Sequence, residues 1–297
     1  MKAPEVVVVG AATRDLHEDD PRGWYLGGGV TFGALGLARL GLRIGVLLGV
    51  DAQAATAHEI DLLRDAGAEV VTVPLAQGPV FLNVETPGGR VQTCGSPSQP
   101  IPVEALPAAW RGASTWMLAP VASELPEAWA TVPPRDSCVA FAWQGILRHL
   151  ESGVRVTPLE PGPSALLARA DIVAVSRHDL PHDLDLRRVG RWLAPESELL
   201  FTAGPLGGLL LRYVDGRIVG GRRYPGVPSR GEVDPTGAGD TMLAGLVAAR
   251  IALGGSTAQD GRDLRLGAAA SSLLVEGPGV GSVPGFGPVR ARLRGQA

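Results

Sequence analysis

Cysteine is nearly absent from this 297-residue chain: Cys94 and Cys138 are its only two. They stand apart, with no Cys-x-x-Cys and no Cys/His cluster, which excludes a zinc ribbon or a disulfide framework. Aromatic residues make up 5% of the chain and lysines are few. The net charge is −3 and no basic cluster stands out, so nucleic acid is not an expected partner. No apolar run reaches the length of a membrane span. The first, Val6–Val9, is also too short for a secretory signal. Together these absences lead us to expect a soluble chain in a reducing, cytoplasmic setting. Two phosphate-binding classes are missing as well. No Gly-x-x-x-x-Gly-Lys-Ser/Thr loop occurs, and Gly10 is followed by Ala11-Ala12-Thr13-Arg14 instead of a second and third glycine.

What is present is a βα rhythm. Hydrophobic residues account for 45% of the chain, enough for a large core, and 41 glycines with 25 prolines punctuate many short loops. Val6–Val9 is a β-branched run suited to a strand buried on both faces. Helical spacing over Gly33–Leu40 ends at Gly41. Ile44–Leu48 reads as a strand, Ala55–Ala66 as a helix closed by Gly67, and Glu69–Val73 as a strand. Further strands are expected at Thr115–Leu118, Ser137–Ala142, Asp171–Val175 and Leu199–Thr202. Helices are expected over Pro163–Arg169, from about Ala238, and over Asp263–Leu274. The alternation predicts a mostly parallel sheet with helices on its faces. Two hairpins interrupt it, one turning at Pro87-Gly88-Gly89 and one at Asp215-Gly216. In the first, Val80, Leu82 and Val84 should share one face, with Phe81, Asn83 and Glu85 on the other. No repeat, low-complexity tract or long linker divides the chain, so we expect one domain over 1–297, with lid segments near 12–32 and 80–100.

The most informative run is Asp234-Pro235-Thr236-Gly237-Ala238-Gly239-Asp240, leading into an alanine-rich helical pattern. Small residues at a helix N-terminus present bare N–H groups to an anion. An aspartate there commonly serves only as an N-cap. Beside a phosphate cradle, however, it also suits transfer of a phosphoryl group to a hydroxyl, with Asp240 as base and Gly237, Ala238 and Gly239 as anion hole. The helix field should keep Asp240 ionised and only weakly basic, so positioning should matter more than proton abstraction.

This run resembles the C-terminal signature of the ribokinase-like, or phosphofructokinase-B type, sugar kinases. The resemblance implies a three-layer α/β sandwich with a mostly parallel central sheet and a small β lid. It also implies an ATP-dependent kinase acting on a sugar or sugar-like polyol, with Mg²⁺ at the phosphates. Asp15 falls where the family grips two hydroxyls. Gly27-Gly28-Gly29 is similar to the family's first signature, placing Gly28 and Gly29 at the substrate. The family's sugar-binding Asn is replaced by Phe32, whose ring would instead stack on a flat ligand face. Gln144-Gly145-Ile146-Leu147-Arg148 resembles a branch near the inositol kinases, with Gln144 and Arg148 lining the site.

For the nucleotide, the resemblance points to Ser176 and Asp179, with Asp179 toward the metal, and to Thr202, Gly204 and Gly207 bordering the ATP. It puts Ala269 and Gly279 at the adenine wall. Asp234 and Thr236 match part of a monovalent-cation site. A homodimer through the lid is also in keeping with the family. Two other readings stay open, a nucleoside kinase with Phe32 stacked on a base and a catalytically silent metabolite binder.

Overall fold

The computed structural model describes residues 3–18, 20–86, 89–254 and 261–295. The chain opens with β1 (Val6–Ala11), β2 (Thr13–Leu16), β3 (Trp24–Gly27), α1 (Gly29–Arg39), β4 (Ile44–Val50), α2 (Glu59–Asp65) and β5 (Glu69–Pro74). A hairpin of β6 (Val80–Thr86) and β7 (Gly89–Ser96) precedes β8 (Thr115–Leu118) and β9 (Cys138–Ala142). Three short strands follow, β10 (Arg148–His149), β11 (Val154–Arg155) and β12 (Thr157–Pro158). Next come α3 (Ala165–Arg169), β13 (Ile172–Ser176), α4 (Leu186–Val189), β14 (Glu196–Thr202), β15 (Gly208–Val214) and β16 (Arg217–Tyr224). Helices α5 (Ala238–Ala252), α6 (Arg262–Leu274) and α7 (Phe286–Leu293) end the described chain.

Nine strands form the larger sheet in the order β16-β15-β14-β13-β9-β8-β1-β4-β5, all parallel except that β15 runs antiparallel between β14 and β16. Strand alternation divides the core. Val6 and Val8 join the apolar layer built with α1, α5 and α6, whereas Val7 and Val9 join the layer on the other face. That second face is filled by Trp110, Trp116, Trp129 and Trp143, all but fully buried, and covered largely by short turns. The few aromatics of the chain are thus concentrated where long helices are lacking. This is the mostly parallel α/β architecture with a small second sheet expected from the sequence.

Several boundaries differ for local reasons. The helix expected over Ala55–Ala66 is split, because Ala57 is extended (ψ 127°) between a single turn at Ala54–Thr56 and α2. Helix α1 starts at Gly29, one turn earlier than the apolar spacing indicated. The Asp215-Gly216 turn has both residues at positive φ (48° and 75°), the geometry that suits a two-residue hairpin.

A smaller five-stranded sheet, ordered β11-β7-β6-β2-β3, joins the expected hairpin to the segment after β1 through a parallel β2–β6 pairing. A register irregularity between Val80 and Phe81 takes Val80 off the face expected for it, while Leu82 and Val84 share one face as expected. Val80 and Phe81 are both buried, while Leu82 and Val84 are 41% and 46% exposed. The side chain of Glu85, assigned to the face of Phe81, lies outside the described residues.

Candidate active site

The sheet reverses its winding beside β1. The chain leaves β1 toward β4 and β5, then returns to β8 on the opposite side. Such a switch point leaves a crevice at the carboxyl ends of the strands, the usual ligand position in open α/β sheets. Asp15, Gln144, Ser176 and Thr202 all lie at or just beyond the carboxyl ends of β1, β9, β13 and β14.

Two carboxylates approach the Gly27-Gly28-Gly29 turn. Asp15, on β2, packs so closely on Gly27 that a Cβ there would collide with its Oδ2, and Thr13 Oγ1 donates to its Oδ1 at 3.1 Å. Two residues on, a Cβ at Gly29 would come 2.6 Å from Asp240 Oδ1. Only a glycine lets the backbone run this near the second carboxylate.

Asp240 lies in the first turn of α5, whose N-cap Gly237 is left-handed at φ 79°. Burial pushes its carboxyl up to about 6; the Arg148 charge pulls it down and the Asp179 charge adds to the rise. The low basicity expected from the helix field is therefore corrected, because desolvation outweighs it. Ala238 N–H already donates to Pro235 O at 3.2 Å, so within the expected anion hole it has a partner in its own turn. Gly239, exposed, and Asp240 have the first-turn amides that lack an intrahelical acceptor.

Phe32 is 1% exposed, and a Cβ on Gly237 would collide with its ring. The ring is a floor under the phosphate turn. It is not open to a ligand, which corrects the expectation that it stacks on a substrate. Ala269 is corrected likewise: it is 0% exposed and packs with Ala270 and Val289, away from any open wall.

The remaining expected residues fall into two groups. Gln144 Nε2 donates to Asp179 Oδ1 at 2.7 Å, and Asp179 Oδ2 accepts from Ser176 N, within a reciprocal cap on the turn after β13. Arg148 joins them electrostatically at Asp240, with its guanidinium 5.9 Å from the Phe81 ring centroid. In the second group, Asp234 accepts from Thr236 N at 2.9 Å and Gly279 N at 3.2 Å, which ties the phosphate turn to the loop after α6. Thr202, Gly204 and Gly207 shape the turn leaving β14, closed by Ala203 N donating to Gly207 O.

Among the described residues no group of three His, Cys, Asp or Glu side chains converges as a metal cage. Asp179 with Asp240 still suits magnesium, which is commonly held by one or two carboxylates together with substrate phosphates. Asp234 spends its oxygens on two backbone amides, so any monovalent cation would share it with those bonds. Among the described residues no helix is long and apolar enough to cross a membrane.

Sequence reasoning missed three contributors. Arg14 pairs with Asp51 beside Asp15, Phe81 faces inward from β6, and Glu124 is buried after β8. None belongs to a recognisable motif, and a single arginine or acid outside one reads as a solvated side chain.

Residues 151–284, which include the Asp234–Asp240 run, match the model of the pfkB family carbohydrate kinases. No curated protein sequence is significantly similar to the chain. Among solved structures, the chain is similar to a pyrophosphate-dependent kinase in the ribokinase family complexed with a pyrophosphate analogue and myo-inositol. The two share 20% identity and a TM-score of 0.73, over 98% of this chain and 99% of that one. It is similar to Arabidopsis thaliana ribokinase complexed with ribose and ATP, at 18% identity and a TM-score of 0.66 over 98% and 99%. The Methanocaldococcus jannaschii nucleoside kinase, an archaeal member of the ribokinase family, shares 15% identity and a TM-score of 0.68 over 99% and 100%. The chain therefore has the ribokinase-like fold, and its residues 151–284 carry the pfkB family carbohydrate kinase match.

Proposed function

We propose that this protein transfers the terminal phosphoryl group of ATP to a hydroxyl of a sugar-like polyol. The observation that carries the reading is the Asp240 carboxyl, raised to about 6 at the start of α5 and set against Gly29, with Asp15 held against Gly27. A carboxylate accepts hydrogen bonds from vicinal hydroxyls, so Asp15 holds the acceptor. Asp240 Oδ1 orients the attacking hydroxyl and takes its proton as the new O–P bond forms. Its raised basicity brings it nearer to a working base at neutral pH while leaving it mostly ionised. The first-turn amides of α5 face the oxygens of the transferred group and stabilise their charge. Arg148 adds positive charge on the acceptor side and holds Asp240 toward its ionised form. Magnesium, carried by donor phosphates near Asp179, would neutralise charge on the phosphates.

Burial of Phe32 removes the stacking argument for a nucleoside acceptor. A polyol remains the better match to Asp15, Gln144 and Arg148, and myo-inositol is the first candidate. Burial of Ala269 leaves the other expected residues of the adenine wall, among them Pro278 and Gly279, as its candidates. The similar pyrophosphate-dependent kinase makes inorganic pyrophosphate the second donor to test. The small sheet is read as a lid in the same domain. A homodimer through it is part of the reading, supported by Leu82, Val84 and Val154 exposed on its strands.

Purified protein with magnesium and either ATP or pyrophosphate, offered myo-inositol, ribose and adenosine, tests the reading by ³¹P NMR of the products. A phosphate monoester of a polyol is expected. Ligand binding without donor consumption would replace the kinase with a silent binder, and a nucleoside monophosphate would restore the nucleoside reading.

A further inference from the structure

Glu124 is 0% exposed and accepts four backbone hydrogen bonds from three amides. Oε1 takes Ala11 N at 2.8 Å and Val121 N at 3.1 Å; Oε2 takes Val121 N at 3.0 Å and Ala122 N at 2.8 Å. These amides belong to two different segments. Ala11 is the last residue of β1, four positions before Asp15. Val121 and Ala122 lie beyond β8, on the other bank of the switch-point crevice.

The turn gripped by Glu124 reaches two further parts of the site. Ser123 N donates to Gly145 O at 3.0 Å, and a Cβ on Gly145 would collide with Pro120, so the turn lies directly on the backbone between Gln144 and Arg148. Ala122 packs with Phe81 and Cys94 in the apolar cluster beneath the hairpin. The turn that this buried carboxyl ties to the strand leading to Asp15 thus also touches the turn bearing Gln144 and Arg148 and the hairpin base. A charge this deep is costly unless each lone pair is satisfied, and here the amides that satisfy it come from both banks.

We propose that Glu124 is a positioning residue for the acceptor: by bonding across the crevice it fixes the spacing between Asp15 and the Gln144–Arg148 turn. This rests on the kinase reading only for its kinetic consequence. A side chain that merely filled the core would affect stability alone. A cross-crevice tie must loosen two segments distant in sequence and leave the donor turn as it was.

The test uses Glu124→Gln, whose single remaining carbonyl oxygen cannot serve both banks, with Glu124→Asp as a second variant should the first fail to fold. Hydrogen exchange followed by mass spectrometry is expected to show faster exchange in residues 11–16 and 144–150 together, and unchanged exchange in residues 234–240. Exchange altered only around 121–125, or not at all, would overturn the proposal whether or not any acceptor is phosphorylated. Where the wild type phosphorylates myo-inositol, the variant is expected to raise the KM for myo-inositol about tenfold and move the donor KM less than twofold. An unchanged acceptor KM would also overturn the proposal. Absence of phosphorylation by the wild type would count against the kinase reading alone, with the exchange result still deciding the role of Glu124.

Discussion

The two halves of the small sheet are held to the body by different forces. The β2–β3 half is clamped by charge. Arg14 Nε and Nη2 donate to Asp51 Oδ2 at 2.9 and 2.8 Å, and Asp51 Oδ1 also receives Gln53 N and Ala54 N. Arg22 forms a fork with Glu59 of α2 at 2.7 and 2.8 Å, and Glu59 accepts Leu26 N as well. Between the two arginines lies Trp24, 6% exposed, with guanidiniums 4.5 and 5.9 Å from its ring centroid. Among the described residues the β6–β7 half has no such side-chain clamp: it is joined to β2 by the parallel ladder and packs on the small apolar cluster of Phe81, Cys94 and Ala122, while Leu82 and Val84 face outward. Directional bidentate pairs fix a geometry, whereas a small apolar contact can slide or part at modest cost. The contrast predicts that the β6–β7 half opens more readily than the β2–β3 half.

The largest expected effect lies just outside the clamp and calibrates the rest. Asp240→Asn should lower turnover by about 10²–10⁴-fold while donor binding, measured by calorimetry, is nearly intact. In the parent, kcat/KM should fall as pH drops through about 6, because the base is lost by protonation. Stability should move the other way. A carboxyl raised in the folded state binds its proton more tightly there than in the unfolded chain, so its contribution grows as pH falls from about 6 toward the ordinary aspartate value near 3.8. Asp240→Asn should remove both trends; a folded mutant with near-normal turnover would take Asp240 out of the mechanism.

Next in size is the clamp. Asp51→Asn leaves Arg14 without its ionic partner at side chains only 11% and 18% exposed, and should cost about 2–3 kcal/mol, read as a lower melting temperature. Melting unchanged within error would show that charge does not hold this half. Asp15→Ala should then raise the acceptor KM by about 10–100-fold, equivalent to losing a charged hydrogen-bond partner worth about 1.5–3 kcal/mol, with the donor KM unmoved. The smallest expected change comes from the cover. Replacing residues 80–93 with a short Gly-Ser link should leave a folded, donor-binding protein whose phosphorylation of the acceptor falls roughly tenfold while donor hydrolysis rises, since water is the competing acceptor. Unchanged kinetics would make the hairpin a structural edge, and light scattering on the same variant tests the dimer.

The order of the main strands, the hairpins and the Asp234–Asp240 turn were legible because each has a local signature: β-branched runs, paired turn residues, and small residues opening a helix. Strands β2 and β3 were not, since Thr13–Leu16 and Trp24–Gly27 become strands only by pairing with each other and with β6. A local cluster was legible where motif residues converge, as with Gln144 on Asp179 and Arg148 beside Asp240. The site was illegible where function depends on what lies opposite. Phe32 and Ala269 were assigned to ligands because their positions resembled ligand positions, and burial against Gly237 and Val289 is invisible in one dimension. The basicity of Asp240 was misjudged for the same reason: the helix start is local, but the protein that desolvates it is assembled from distant segments.

The ring of Phe32 beneath Gly237 constrains how this site can change over time. Exchanging Phe32 for a smaller polar residue would remove the floor under the Asp234–Asp240 turn. Adding any side chain at Gly237 to refill the space would meet a left-handed backbone. The packing of Phe32 against Gly237 therefore couples these two positions, whereas Gln144 and Arg148 are not part of that contact. Phe32 and Gly237 should consequently behave in mutational libraries as a strongly epistatic pair, with single changes at either position tolerated far less than changes at Gln144 and Arg148.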